Sequence, residues 1–297
     1  MTTIEAKLSP RASVLIMIGV ASAFASNHLC ARIAFNNGAS VTTGVSVRAT
    51  ITALVLLALM RLQGVPLAIP RELRWRTLLA GLLIAAQSYC LYSAVAIIPP
   101  ALALLVFQTS PMLYVILTWG LGKEAPRWSA LVPMALALAG LALALNLRPA
   151  HFDADWAAVR AGVGWAFASG ACMAVVYYLN ANVLKALDGR LRTFAMTAVT
   201  GIVLVIAGSA AGAQALPQTS AGWAGLAGLT VFYGIAMLSL FFTLPRVPTT
   251  TTAALNFEPI ALLVLGWVVL GFTVTGLQTV GALLTVGAIA WLGLMKR

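Results

Sequence analysis

The sequence predicts an all-α integral membrane protein whose ten transmembrane helices form two inverted five-helix repeats. Three observations carry that prediction. Hydrophobic residues make up 61% of the 297 positions and charged residues only 8%, whereas a soluble domain carries roughly 25% charged residues. The apolar residues fall into ten long runs separated by charges, Pro or Gly/Asn turns. Pro100, Pro111 and Trp119 return 148 residues later as Pro248, Pro259 and Trp267, which reads as a chain built twice.

The first run, 12–35, follows Lys7 and Arg11 and imitates a signal peptide, with Ala23-Phe24-Ala25 in the place of a cleavage site. The run continues beyond that site. Ala23-Phe24-Ala25-Ser26 also recurs as Ala166-Phe167-Ala168-Ser169, so it reads as the first helix of each repeat. Asn36-Asn37-Gly38 ends it with a turn. The second run, 42–60, is closed by Arg61, and the third, 77–98, stops at Pro99-Pro100. The fourth, 101–120, holds Gln108-Thr109-Ser110-Pro111, and the fifth spans 129–147.

The connection 148–160 contains Pro149, His151, Asp153 and Asp155. Its Asp pair lacks the rest of a cation ligand set and reads as a solvated loop. Runs six to ten are 161–184, 193–213, 221–244, 249–271 and 277–295. The chain is thus one membrane domain, 1–297, with a first repeat at 12–147, an outer linker at 148–160 and a second repeat at 161–295.

Orientation follows from the basic residues. Fourteen Lys and Arg fall on one side of the alternating spans and only Arg148 and Arg160 on the other. The basic side is cytoplasmic by the positive-inside rule, which places both termini in the cytoplasm. The net charge of +11 is therefore topology information, and nucleic acid is not expected as a partner. Cys30, Cys90 and Cys172 lie singly in apolar runs and read as small packing residues. Five spans per copy is an odd number, so the second copy lies upside down. A substrate site is expected near mid-depth between the halves.

These features resemble the EamA branch of the drug/metabolite transporter superfamily. The markers are Arg48 in Ser46-Val47-Arg48, Phe107-Gln108-Thr109-Ser110-Pro111, Asn256-Phe257-Glu258-Pro259 and the Gly-rich last spans at Gly140 and Gly287. Within the branch the chain looks most like bacterial YddG-type amino-acid exporters. It departs from the family pattern at Leu270-Gly271-Phe272, where a Glu often follows Leu-Gly. The resemblance implies a multi-pass transporter of the bacterial inner (cytoplasmic) membrane with a central cavity.

Several embedded polar residues are candidates for that cavity. Glu258 lies about midway along the ninth expected span. It reads either as a proton-coupling or substrate-amine site or as a structural partner that holds the Pro259 region. Arg48 is expected to pair with Glu258 or to meet a substrate carboxylate. Arg32 is expected to snorkel. Gln108 and Asn256 repeat one face of spans four and nine and read as cavity lining or helix–helix hydrogen bonding. Asn27, His28, Gln87, Tyr89, Tyr92, Trp165 and Tyr177 complete the expected lining, with Tyr233 in span eight. Pro111 and Pro259 are expected to bend their helices.

An aromatic wall with few charges suits a small zwitterion with an apolar side chain. The expected function is export of small metabolites, amino acids with aromatic or other apolar side chains first among them, by alternating access. A drug or sugar exporter of the same fold is the alternative, with an intramembrane enzyme behind it. The bilayer and a small-molecule substrate are the expected partners, protons are a candidate third, and the oligomeric state is open. No H-E-x-x-H, G-x-S-x-G or nucleotide-binding motif is present, so no enzyme activity, metal or cofactor is expected.

Overall fold

The computed structural model describes residues 9–122, 128–145, 156–243, 255, 257–271 and 275–294. Those residues are helical throughout apart from turns, with no strand among them. In chain order the helices are α1 (Pro10–Asn36), α2 (Val41–Leu62), α3 (Arg71–Ile97), α4 (Pro100–Phe107), α5 (Ser110–Gly120), α6 (Trp128–Leu145), α7 (Trp156–Tyr178), α8 (Gly189–Ala210), α9 (Ser220–Thr243), α10 (Glu258–Leu270) and α11 (Gly276–Leu294). A π-helical turn, Leu179–Val183, extends α7.

Seven segments are long and apolar enough to cross a membrane, with α4 and α5 counted together as Pro100–Gly120. Three shorter apolar helices, Leu131–Ala144, Glu258–Val269 and Gly276–Trp291, lie at the fifth, ninth and tenth expected runs.

Local sequence starts and stops these helices. Ser9 caps α1, its hydroxyl accepting from the Ala12 N–H at 3.3 Å, with Pro10 at the first position. Ser40 caps α2 through the Thr43 N–H at 3.1 Å, and Asp188 caps α8 through the Arg190 N–H at 2.8 Å. Gly271 ends α10 at φ 67°, a left-handed conformation that disfavours a side chain.

The packing exchanges the two halves of the chain. Helix α1 packs on α9 and α10, and α7 packs on α3 and on α4 and α5. Helix α2 packs on α8, α6 on α11, α2 on α9 and α3 on α8. Replacing each expected span by the one five places later reproduces these pairs.

Two of the pairs join equivalent helices, and both run antiparallel. In α6 and α11, Gly140 faces Gly281 and Thr285, while the Thr285 hydroxyl donates to the Ala137 carbonyl at 3.3 Å. In α2 and α8, Gly201 lies against Thr50 and Gly208 against Thr42. Such close contacts are how helices associate where burial from water provides no drive.

The exposed face is apolar, with Ile51, Leu54, Ile202, Ile206, Val231 and Val268 among its residues, while Asn27, His28, Arg48, Gln87 and Ser169 are buried. A polar lattice joins the α1–α2 turn to the α8–α9 turn. The Ser40 N–H donates to the Ala215 carbonyl at 2.9 Å, the Gln218 N–H to the Asn37 carbonyl at 2.9 Å, and the Thr219 hydroxyl to the Asn37 side chain at 2.6 Å.

Candidate substrate site

The buried polar residues converge on Arg48 of α2. Its side chain enters the bundle between α3 and α9 because α2 turns Val45, Arg48, Thr52 and Leu56, spaced three and four residues apart, toward the interior. One guanidinium nitrogen donates to the Tyr92 hydroxyl at 3.0 Å and another to the Ser88 hydroxyl at 3.2 Å. The guanidinium carbon lies 4.3 Å from the Tyr92 ring centre and 4.0 Å from that of Tyr233. A desolvated cation on an aromatic face gains on the order of 2 kcal/mol.

Two hydrogen-bonded arms leave this cation. In one, the Tyr92 hydroxyl donates to the Asn27 side-chain oxygen, and the Asn27 amide donates to the Leu229 carbonyl at 2.6 Å. In the other, Ser88 donates to Gln87 at 3.3 Å and Gln87 donates to Ser169 at 3.1 Å. The arms tie α2 to α1, α3, α7 and α9, so helices of both halves meet at one residue.

Glu258 does not pair with Arg48 as the sequence suggested. Its carboxylate lies 3.1 Å from Nε2 of His28, and the His28 ring centre is 5.2 Å from that of Tyr92. Arg48 is turned away because its terminal nitrogens are engaged by Tyr92 and Ser88, whereas the first turn of α10 packs against α1, which carries His28. The His28 ring is buried and its Nδ1 finds no hydrogen-bond partner among the described residues. Arg32 does not snorkel. It is half-buried and donates to the Val95 carbonyl at 2.6 Å, close to the end of α3.

The two prolines start helices instead of bending them. Ser110-Pro111 opens α5 and Glu258-Pro259 opens α10, with Pro at the position whose N–H has no helical partner. Pro111 has no N–H for the Phe107 carbonyl, so α4 ends and Gln108 and Thr109 form a turn. Gly170 of α7 closes over that turn. A methyl group there would sit 3.2 Å from the Thr109 hydroxyl and 3.3 Å from the Phe107 carbonyl. Glu258 is thus the first residue of its helix, where the positive end of the helix dipole favours a carboxylate by about 0.3–1 kcal/mol.

The cluster therefore gathers Asn27, His28, Arg48, Gln87, Tyr92 and Glu258. Other expected lining residues lie elsewhere. Tyr89 and Trp165 are exposed and meet edge-to-face at 6.0 Å, Tyr89 on the α3 stripe that carries Leu78 and Leu82. Tyr177 meets Tyr114 edge-to-face at 6.3 Å, between α7 and α5, beside Ser110 and within electrostatic reach of Glu258 at the edge of the cluster. Gln108 is half-buried in the α4–α5 turn, and Asn256 lies outside the described residues.

Ser88 and Ser169 went unrecognised as candidates. Each carried a signal: Ser88 stands one turn before Tyr92, and Ser169 ends the second copy of the recurring tetrapeptide. No group of three His, Cys, Asp or Glu is placed to hold a metal among the described residues. An apolar groove of about 250 Å³ between α10 and α11 is lined by Leu263, Trp267 and Leu283 among others, and none of the cluster residues lines it.

This is a multi-pass membrane protein with a buried polar centre assembled from both halves of its chain. It belongs to the EamA-like transporter family, whose profile matches twice, over residues 11–146 and 160–294. No curated protein sequence matches the chain. One crystal structure is similar over 95% of this chain and 96% of its own, with a TM-score of 0.65 and 19% identity, a likeness of fold.

Proposed function

We propose that the protein is a secondary transporter that exports small metabolites from the cytoplasm by alternating access, with amino acids bearing aromatic or other apolar side chains as its substrates. The family supports a transporter over an enzyme. The observation that carries the reading is the Arg48 cluster, where one cation draws on helices of both repeats and two tyrosine rings. A zwitterion meets there a cation, aromatic faces and, on α10, an acid.

The antiparallel α2–α8 and α6–α11 pairs support an inverted repeat. A two-fold axis along the membrane normal would leave equivalent helices parallel, whereas an axis in the membrane plane reverses them. Rocking of one repeat on the other then exposes the cluster to each side in turn. The break between α4 and α5 before Pro111 fits the discontinuous helices of such carriers. The YddG-type resemblance and the basic side read from the sequence as cytoplasmic support the reading of an exporter in a bacterial inner membrane.

Purified protein in liposomes loaded with each labelled amino acid tests this reading. Efflux of aromatic or aliphatic amino acids, lost in Arg48→Gln, is expected. Absence of flux for all twenty rejects the amino-acid assignment.

A further inference from the structure

The two seams that the repeats relate to each other are built from different chemistry. In one, α1 packs on the start of α10, with Ala25 and Leu29 against Ala261 and Leu262, and His28 meeting Glu258. In the other, α7 packs on the start of α5. The Pro repeat makes Ser110 the counterpart of Glu258, and the recurring tetrapeptide makes Ala171 the counterpart of His28. At that second seam Gly170 is pressed against Thr109, and the buried Ser110 hydroxyl lies beside the Tyr177 side chain. One seam carries a breakable pair of ionisable groups, and its counterpart carries none at that place.

We propose that His28 and Glu258 form a proton-binding site whose occupancy opens the α1/α10 seam, while the α5/α7 seam does not respond to protons. The inference rests on the transporter reading only in that seam opening is the motion transport would use.

The closed seam offers an added proton no good place. The contact as built holds one hydrogen between Nε2 and the carboxyl oxygen. A second proton on Nδ1 would be a buried N–H with no acceptor among the described residues. A proton on the carboxylate would end a charge-assisted hydrogen bond and the favourable contact with the α10 dipole. Either way the cluster gains a positive charge near Arg48.

The remaining ionisable groups around the pair do not absorb that charge. Helix α1 adds Arg32, α2 adds Arg48, α3 adds Tyr92 and α9 adds Tyr233, while α4 and α11 bring no titratable side chain. Tyr114 of α5 lies at the other seam, and Tyr177 of α7, beside Ser110 there, is also within electrostatic reach of Glu258, but a phenol takes up no added proton. An opened seam instead admits water, which satisfies both ring nitrogens and screens the charge. The proton comes from water and no other bond changes. A ligand that favours one of two states shifts the population toward it, so acid opens this seam.

The test is double electron–electron resonance on the full chain in nanodiscs, in a background with Cys30, Cys90 and Cys172 replaced by Ala. Labels at Asn36→Cys and Val268→Cys report the α1/α10 seam. Labels at Leu121→Cys and Lys185→Cys report the other. On going from roughly pH 8 to pH 5, the range in which an imidazole can change charge, the first pair should gain a longer-distance population and the second should not move. Glu258→Gln and His28→Gln should each abolish the response. No shift in the first pair, an equal shift in both pairs, or a response that survives in either variant overturns the proposal. A pH-responsive seam without amino-acid flux would keep the proton site and reject the substrate reading, and flux without a responsive seam would do the reverse.

Discussion

Arg48 meets Tyr92 twice, through a 3.0 Å hydrogen bond to its hydroxyl and through the ring face 4.3 Å from the guanidinium carbon. Tyr233 meets the same cation through its ring alone among the contacts described, at 4.0 Å. The two tyrosines should therefore respond differently to loss of the hydroxyl. Tyr92→Phe strands a guanidinium N–H and the Asn27 oxygen in the interior and should cost about 1–3 kcal/mol. Tyr233→Phe keeps its ring and should change stability by less than about 0.5 kcal/mol. Thermal unfolding in detergent compares them.

The α6–α11 seam should be intolerant of a single methyl group. A side chain at Gly281 would meet the Ala144 and Gly140 backbones, whereas one at Gly287 would meet nothing within 4 Å. Gly281→Ala should destabilise by roughly 1–3 kcal/mol through overpacking. Gly287→Ala should be neutral or stabilise by up to about 1 kcal/mol. Equal melting temperatures for the two variants would contradict the close approach.

Pro111→Ala restores an N–H that can reach the Phe107 carbonyl and removes the barrier to one continuous α4–α5 helix. The expected result is an unchanged or higher melting temperature with flux reduced by about tenfold, since the break is where the span can flex. Unaltered flux would show that the interruption serves folding alone.

Asp188, in the turn before α8, gives a small acid dependence. The Arg190 side-chain hydrogen bond, aided by the Arg190 and Leu191 backbone N–H groups, holds its carboxyl below the usual carboxylate range. A depressed folded-state value means the contribution is present above the unfolded value of about 3.9 and is lost as pH falls through the folded one. The side chain is 43% exposed, so screening leaves little beyond the cap itself, about 1 kcal/mol. Asp188→Ala should lower stability by that amount at neutral pH, and the gap from wild type should close below about pH 4.

Orientation is open to thiol labelling. In a cysteine-free background, Ala215→Cys in the α8–α9 turn should react with an impermeant reagent in intact cells. Ala186→Cys in the α7–α8 turn should react only after permeabilisation. The opposite pattern would reverse the assignment of sides.

The long apolar runs, their punctuation and the doubled Pro–Pro–Trp spacing were legible because each is a local property of the chain. The choice between a bent helix and a new one was less so. A proline forbids one hydrogen bond but does not say whether the helix absorbs the loss, and here α4 stops at Phe107 while α5 and α10 begin beside their prolines. Pairing within the site was the least legible. Glu258 is 230 residues from His28, and its partner depends on which face α1 turns to α10. Tyr89 and Tyr92 are three residues apart on one helix, yet one is exposed and the other buried, because the packing of α3 decides the boundary between them. Arg48 invited an acidic partner by charge alone, and its hydrogen bonds go to neutral hydroxyls.

The lattice between the α1–α2 and α8–α9 turns bears on how the chain is made. Asn37 waits for Thr219, 182 residues further along, which at 5–20 residues per second is on the order of ten to forty seconds of synthesis. During that interval the first half lies in the bilayer with the polar groups of its turn unclaimed by their final partners. Whatever shields that turn, water at the membrane surface or a chaperone of insertion, must yield when the eighth and ninth helices arrive, so the second half of the chain acts as the template on which the first completes its fold.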